Sequence, residues 1–368
     1  MSNDNSETIK MIRDQAARLL TTRSSPERLK ELLDKPGGFD RSLWDAASES
    51  GWPCITIPEA RGGLGLGWQG LCAIMEELGE RTASIPLIGN SIAAHVLTHA
   101  DESAQVDNLL DELASGTKIA CLALAEPDEL AIDSLPKTTF DGNCVSGSKS
   151  LSPFAAVADI ALTSVRANGR ASLAIVPLDH SNVTRNKKNS FDNSRAYASI
   201  EFHGAPAFLI NADTRRDFIK ETIDLGALAT SFEQIGGTQA AMAMARDFAL
   251  SRKAFGQPIG SFQAVKHKIA DMYCRLEIAR GCALDALDAY ESGSASWHSL
   301  TAAARLGCIN AYEFSAKENI QTHGGLGVTW EAMPHHYYRR SKSLSVELGN
   351  IYYWRDRLLT ETGFDSVS

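Results

Sequence analysis

Basic residues are in the minority in this sequence: 36 Lys and Arg stand against 45 Asp and Glu, a formal net charge of −9. A nucleic-acid partner, which calls for a basic stripe, is not expected. Long apolar runs are missing too, although 44% of the 368 residues are hydrophobic. No run approaches the roughly 18 to 20 residues that span a bilayer, so no membrane span is expected. The polar start MSNDNSETIK has no apolar core of the kind a secretory signal needs. Paired cysteines are absent as well. The seven, Cys54, Cys72, Cys121, Cys144, Cys274, Cys282 and Cys308, are scattered and form no C-x-x-C pair. That pattern points to buried free thiols in a reducing cytoplasm, not to disulfides or zinc.

What is present falls into three stretches. Residues 1–116 are helical in pattern: MIRDQAARLL, PERLKELLD, RSLWDAASESG and GLCAIMEELGERT each place apolar residues three or four apart. Within them, IPEARGGLGLG follows a Pro-Glu turn instead of joining a strand to a helix. It reads as a helix-to-helix turn and not as a dinucleotide fingerprint. Residues 117–211 change period. IACLALAE, ADIALTSV, ASLAIVPL and AYASIEF are short β-prone runs separated by DGN, ANGR and HSN turns. Residues 212–368 are helical again. Val265, Ile269, Met272, Leu276 and Ala279 form one bundle seam, and Leu306, Ile309, Tyr312, Ala316 and Ile320 form another that stops at Gly324-Gly325. Helices, then a small sheet, then helices is an α+β multidomain order, not the alternation of a doubly wound sheet.

Two stretches carry candidate chemistry. In SRKAFGQPIGSFQAVKHKIADM, a helix ends at Arg252 in a Phe-Gly-Gln-Pro turn and a second begins near Ser261, a reasonable N-cap. Arg252 offers a planar fork suited to a pyrophosphate, Phe255 an aromatic face and Gln263 amide donors one turn into the next helix. An ordinary solvated arginine in a helix-helix loop is the competing reading. In QTHGGLGVTWE, Gln321 stands beside a glycine pair, Gly324 and Gly325, where backbone can approach a ligand closely; a glycine C-cap is the plainer reading.

Taken together, R-x-x-FG-x-x-I-x-x-FQ followed by Q-x-x-GG-x-G resembles the acyl-CoA dehydrogenase family. IPEARGGLGLG resembles its N-terminal P-E-x-x-GG-x-G turn and CLALAEP its first β-domain motif. The resemblance implies an N-terminal helical domain, a middle β-barrel domain and a C-terminal four-helix bundle. It implies FAD at a subunit interface, with Arg252, Phe255 and Gln263 on its pyrophosphate and adenine half and Gln321, Gly324 and Gly325 closing the pocket. It further implies an acyl-CoA substrate and electron-transfer flavoprotein as acceptor.

The family's base is a carboxylate at one of two places. One is a Glu-Gly pair after an arginine-rich stretch. In RRSKSLSVELGN, with Gly349 kept in register, Leu348 stands where that Glu belongs and Glu347 lies one position early. On a helix, that is a rotation of about 100°. The second place, counted back from Ala254, falls on Gly226; Glu233, two turns further, reads as a helix-surface or interface acid. The flavin-facing motif E-P-x-x-G-S is replaced within AEPDELAIDS, and GSKSLSP puts Leu151 and Pro153 where an aromatic and a Thr are usual. This split is similar to the non-catalytic type of subunit in α2β2 heterotetrameric dehydrogenases, including those acting on steroid side-chain CoA thioesters, in which a second acyl-CoA dehydrogenase-like subunit carries the base. The other readings are a complete homo-oligomeric dehydrogenase using Glu347, a different flavin chemistry such as nitroalkane oxidation or monooxygenation, and a flavin-free scaffold.

Overall fold

Glycines and strand-to-helix changes of period punctuate this chain where its elements meet. The computed structural model describes residues 2–35, 37–129, 131–210 and 217–364. Six α-helices come first: α1 (Ser2–Arg23), α2 (Pro26–Leu33), α3 (Arg41–Glu49), α4 (Gly67–Glu80), α5 (Leu87–Thr98) and α6 (Ala104–Ala114). Eight strands follow: β1 (Ala120–Ala123), β2 (Thr139–Asp141), β3 (Cys144–Ser152), β4 (Ile160–Ala167), β5 (Arg170–Pro177), β6 (Val183–Lys187), β7 (Ala198–Pro206) and β8 (Phe208–Leu209). Then come α7 (Phe218–Ser251), a small hairpin of β9 (Lys253–Ala254) and β10 (Gln257–Pro258), α8 (Gln263–Glu291), α9 (Trp297–His323), α10 (Pro334–Leu344) and α11 (Ile351–Glu361). The helix–sheet–helix order expected from the sequence is the observed one.

By contact the chain divides into two units. One joins Met1–Pro26, Cys72–Ala83 and Ala227–Ser368; the other joins Glu27–Leu71 and Ser84–Gly226. Domain boundaries at 116 and 211 are retained as a proposal based on secondary structure; the second falls outside the described residues.

In the second unit the strands run in the order β6-β7-β3-β2-β4-β5-β8, with β1 also on β4, and curl into a half-barrel. β1 and β2 pair with β4 in parallel, while β3–β7, β4–β5 and β6–β7 are antiparallel. β4 is buried along nearly all its length, Thr163 and Ser164 included, which is why ADIALTSV shows no alternation of apolar and polar positions. α5 lies directly on β1: a methyl group added at Gly89 would meet the Ala120 carbonyl at 2.3 Å. Asn90 fixes that contact, accepting from the Ala120 N–H at 2.7 Å and donating to the Lys118 carbonyl at 2.9 Å. The glycines of IPEARGGLGLG make a turn, with Gly62, Gly65 and Gly67 all at positive φ. It leads from the 3-10 turn Glu59–Arg61 into α4, as expected of a helix-to-helix connector.

In the first unit the long helices α7, α8 and α9 form a bundle completed by α10 and α11. Two glycines let α4 and α7 touch backbone to backbone. A methyl group on Gly79 would lie 1.9 Å from the Glu233 carbonyl, and one on Gly236 would lie 1.9 Å from the Glu76 carbonyl. Glu76, buried beside that crossing, accepts from Arg280 of α8 at 2.5 Å and from Arg13 of α1 at 2.8 Å. Of the two seams read from the sequence, Met272, Leu276 and Ala279 are buried on α8 and Ile309, Tyr312 and Ala316 on α9. The cysteines are all free, but only Cys72, Cys121 and Cys308 are buried; Cys144 and Cys274 are exposed, against the expectation that all would be internal. Burial pushes the Cys121 and Cys308 thiols up to about 12, so neither is reactive at neutral pH.

Candidate functional site

Three helix ends converge at one end of the bundle. Phe248, in the last turn of α7, stacks on His323, the last residue of α9, with ring centroids 4.1 Å apart. Lys268, near the start of α8, pairs with Glu318 of α9 at 2.5 Å. Gly260, just before α8, comes close enough to α7 that an added methyl group would meet the Ala249 carbonyl at 3.0 Å. Burial lowers the His323 imidazole below its ordinary range, keeping the stacked ring neutral. The sequence gives little sign of this stack, since one Phe and one distant His carry no motif.

The two sequence stretches meet at that end. Arg252 follows the last residue of α7, its N–H donating to the Phe248 carbonyl at 2.8 Å. Its side chain is exposed and has no partner among the described residues. The next residues fold back as the β9–β10 hairpin, with Ala254 opposite Gln257. Its two loop residues, Phe255 at φ 54° and Gly256 at φ 83°, have the positive φ values of a type I′ turn. A phenylalanine in left-handed backbone is uncommon, and Phe255 is 96% exposed, touching the Phe262 ring edge-on at 6.2 Å. Gln263 is the first residue of α8, not one turn inside it. Ser261 is not the N-cap: its hydroxyl donates to the Pro258 carbonyl at 2.7 Å, and Phe262 caps with no side-chain hydrogen bond. The positive end of this 29-residue helix thus has no side-chain oxygen at its cap; the Phe262 carbonyl accepts from the Val265 N–H at 3.1 Å.

On the facing helix end, Gln321 is exposed and its carbonyl accepts from the Gly324 N–H. Gly324 has φ 60°, and a methyl group on Gly324 or Gly325 would meet nothing within 4 Å. Bare backbone therefore faces open space beside an unpaired guanidinium, an exposed aromatic ring and an uncapped helix start. That donor set suits an anionic, aromatic ligand.

The candidate base sits elsewhere in the same unit. α10 ends at Leu344, so Glu347 lies in a turn and not on a helix, correcting the rotation argument. Arg305 of α9, fully buried, holds this turn by its backbone. It donates from Nη2 to the Leu344 and Glu347 carbonyls and from Nη1 to Gln234 Oε1. Leu348 follows at φ 55° and Gly349 at φ 97°. A branched side chain in left-handed backbone is strained by about 1 to 3 kcal/mol, and here the surrounding clamp maintains it. Glu233 is not a surface acid. It is buried and accepts from Arg340 Nη1 at 2.8 Å, while Arg340 also donates to the Ala83 and Thr82 carbonyls.

The AEPDELAIDS segment of the second unit is anchored by a polar group the sequence reading passed over. Lys149, buried on β3, donates to Glu126 Oε1 at 2.9 Å, Ser164 Oγ at 2.9 Å and the Leu124 carbonyl at 3.3 Å. Glu126 in turn accepts from the Lys137 and Thr138 N–H groups at 2.7 and 2.9 Å. Burial opposes the Glu126 charge, but the hydrogen bonds from Lys149, Thr138 and Lys137 outweigh it and hold the carboxyl down to about 2. Leu151 is exposed and Pro153 half-buried. Among the described residues there is no cluster of potential metal ligands and no helix long and apolar enough to cross a membrane.

Comparison with known proteins agrees with this layout. The acyl-CoA dehydrogenase N-terminal domain family matches residues 6–117 and the acyl-CoA dehydrogenase C-terminal domain family matches residues 216–358. Acyl-CoA dehydrogenase IpdE2 of Mycobacterium tuberculosis is 29% identical over 339 residues, 91% of each chain. Among solved structures, a variant of the Tcur3481-Tcur3483 steroid ACAD superposes with a TM-score of 0.91 at 25% identity, over 99% of this chain and 100% of that one. A chain of the ChsE4-ChsE5 complex from Mycobacterium tuberculosis gives 0.89 at 22%, over 97% of each. With both terminal domain families matched and the fold shared along its length, the chain belongs to the acyl-CoA dehydrogenase family.

Proposed function

We propose that this chain is a subunit of a heteromeric, FAD-dependent acyl-CoA dehydrogenase, and that it supplies the adenine and pyrophosphate half of a shared FAD site while an unlike subunit supplies the base. The observation that carries this reading is the contrast between the residues at the bundle end and those at the two base positions. At the bundle end, Arg252, Phe255, Gln263, Gln321, Gly324 and Gly325 are all present and turned to open space. At the base positions stand Leu348, in a turn held by Arg305, and Gly226. FAD, when bound, supplies the hydride acceptor; the residues of this chain hold and orient it. Arg252 and the start of α8 fit a diphosphate, Phe255 fits an aromatic base, and the glycine pair leaves room for close approach. A steroid side-chain CoA thioester is the proposed substrate class, supported by the likeness to a steroid ACAD complex. Electron-transfer flavoprotein is the proposed acceptor and the cytoplasm the proposed compartment.

The test is purification of the chain alone and after co-expression with its genomic neighbour. The expected result is a yellow α2β2 complex with one FAD per unlike pair, active only when both chains are present. A lone chain that is yellow, active and tetrameric, with four equivalent sites, would replace this reading with the homo-oligomeric one. Absence of flavin from both preparations would replace it with the scaffold reading.

A further inference from the structure

His323 is the last residue of α9, two positions after Gln321 and next to Gly324, and its ring is held on three sides. One face stacks on Phe248 at 4.1 Å, with 27° between the planes. Phe248 lies one helical turn before Arg252, whose N–H it accepts on its carbonyl at 2.8 Å. Gly327 closes against the His323 Cβ: a methyl group on that glycine would lie 3.1 Å from it. On the third side Nδ1 lies 2.9 Å from the Asn319 carbonyl. That contact fixes the tautomer. A carbonyl oxygen can only accept, so Nδ1 carries the proton. Burial keeps the ring neutral at pH 7. A neutral imidazole protonated at Nδ1 has a bare lone pair on Nε2. Among the described residues nothing donates to that lone pair, and the ring is only half-buried.

The bundle end therefore holds a rigid acceptor among donors. The Arg252 guanidinium and the first N–H groups of α8 can only donate, and they suit phosphate oxygens. Nε2 can only accept. One ring face is occupied by Phe248, so the edge that carries Nε2 is what His323 offers to a ligand. We propose that His323 Nε2 accepts a hydrogen bond from the exocyclic amino group of an adenine base, and so makes this site selective for an adenine dinucleotide over one whose base carries oxygen at that position. The inference rests on the FAD reading above and adds the atom that reads the base. In a hypoxanthine base the amino group is replaced by a carbonyl, which would set an oxygen against the Nε2 lone pair with no proton between them. Contacts to the diphosphate are the same for both bases, so they contribute affinity without this discrimination. A site built to pair with one polar group disfavours the analogue that lacks it, because its own buried or fixed group is left unpaired.

The experiment compares binding of FAD and of its deaminated analogue, flavin hypoxanthine dinucleotide, to the flavin-free complex of this chain with its unlike partner, read by flavin fluorescence. The expected result is a preference of about tenfold for FAD in the wild type. His323→Phe keeps an aromatic ring for Phe248 and removes the acceptor. In that variant FAD is expected to weaken while the analogue does not, so that the two bind alike. Arg252→Ala is the contrast: acting on the diphosphate, it is expected to weaken both dinucleotides and to keep the preference for FAD. A merely structural role for His323 would weaken both dinucleotides alike in His323→Phe. That outcome, or equal binding of the two by the wild type, would overturn the inference and leave the FAD reading standing. The wild-type comparison needs no variant, so it decides the matter even if His323→Phe fails to fold. A wild-type complex that binds neither dinucleotide would remove the FAD reading and this inference together.

Discussion

Arg340 donates from Nη1 to Glu233 Oε1 at 2.8 Å, with each side chain only 1% exposed. Because Arg340 also donates to the Thr82 and Ala83 carbonyls just past α4, it ties α10, α7 and the turn after α4 together. Breaking such a pair from one side leaves a buried charge unmatched, at a cost of about 3 to 5 kcal/mol. Glu233→Gln is therefore expected to lower the urea midpoint strongly, and Glu233→Gln with Arg340→Met to recover part of the loss. Recovery is partial because the two carbonyls lose their donor. A midpoint unchanged in the single variant would contradict this account.

The crossing of α4 and α7 makes a sharper steric prediction. At Gly79 and Gly236 a methyl group would sit 1.9 Å from a facing carbonyl, with both walls made of backbone. Gly79→Ala and Gly236→Ala must force the helices apart, and overpacking of this kind costs about 1 to 3 kcal/mol or more. Each variant is expected to unfold at lower denaturant or to accumulate as insoluble chain. Wild-type stability in either would sink the crossing.

Acid sensitivity follows from Glu126. Its carboxyl is held down to about 2 against an ordinary value of 4.5. The folded state therefore prefers the charged form, so the stabilisation is complete above pH 4.5 and is lost as pH falls toward 2. Glu126→Gln is expected to be less stable at neutral pH and to show a flatter decline over that acid window, measured as urea midpoint against pH. An equally steep decline in the variant would assign the acid limb to other groups.

These groups also mark where sequence reading ran out. The runs that became β1, β4, β5 and β7 were legible because most of their buried positions are apolar. β3 was not: its inward positions include Lys149 and Ser152, so no apolar alternation appears, and the buried lysine is made tolerable by partners distant in sequence, Glu126, Ser164 and the Leu124 carbonyl. Seams on α8 and α9 were legible, but the joining of α1 and part of α4 with α7–α11 depends on partners far apart in sequence, as with Glu76, Arg13 and Arg280. The candidate adenine-end residues were found because their spacing is a motif. The hairpin that displays Phe255, the role of Phe262 at the cap and the turn at Glu347 were not, since each depends on backbone dihedrals set by its surroundings.

If Arg252 and Gln263 hold a diphosphate, their loss should be felt in retention of flavin and not in folding. Both are exposed, and neither side chain supports the bundle. Arg252→Ala and Gln263→Ala are each expected to leave thermal unfolding of the flavin-free complex unchanged. Loss of a charge-assisted contact at Arg252 should weaken FAD binding by about 1.5 to 3 kcal/mol, with less at the neutral amide. Flavin absorbance after dialysis measures this, and full occupancy in both variants would remove these residues from the site.

Glu347 decides between the two catalytic readings. Its backbone carbonyl accepts from Arg305 at 2.7 Å, so Glu347→Gln keeps the clamp on the turn and changes only the carboxylate. Leu348 and Gly349 then reverse the backbone through left-handed conformations, so side chains at 347 and 348 leave the turn in different directions and cannot cover the same point. If the base comes from an unlike subunit, Glu347→Gln retains most of the turnover of the assembled enzyme. A general base is worth roughly 10² to 10⁴ in rate, so the alternative would be plain in kcat. Flavin content and substrate binding, measured on the same preparation, separate a lost base from a lost site. Turnover reduced by that factor with both intact would make this chain the catalytic one, and the unlike partner would then have to be sought as the non-catalytic half.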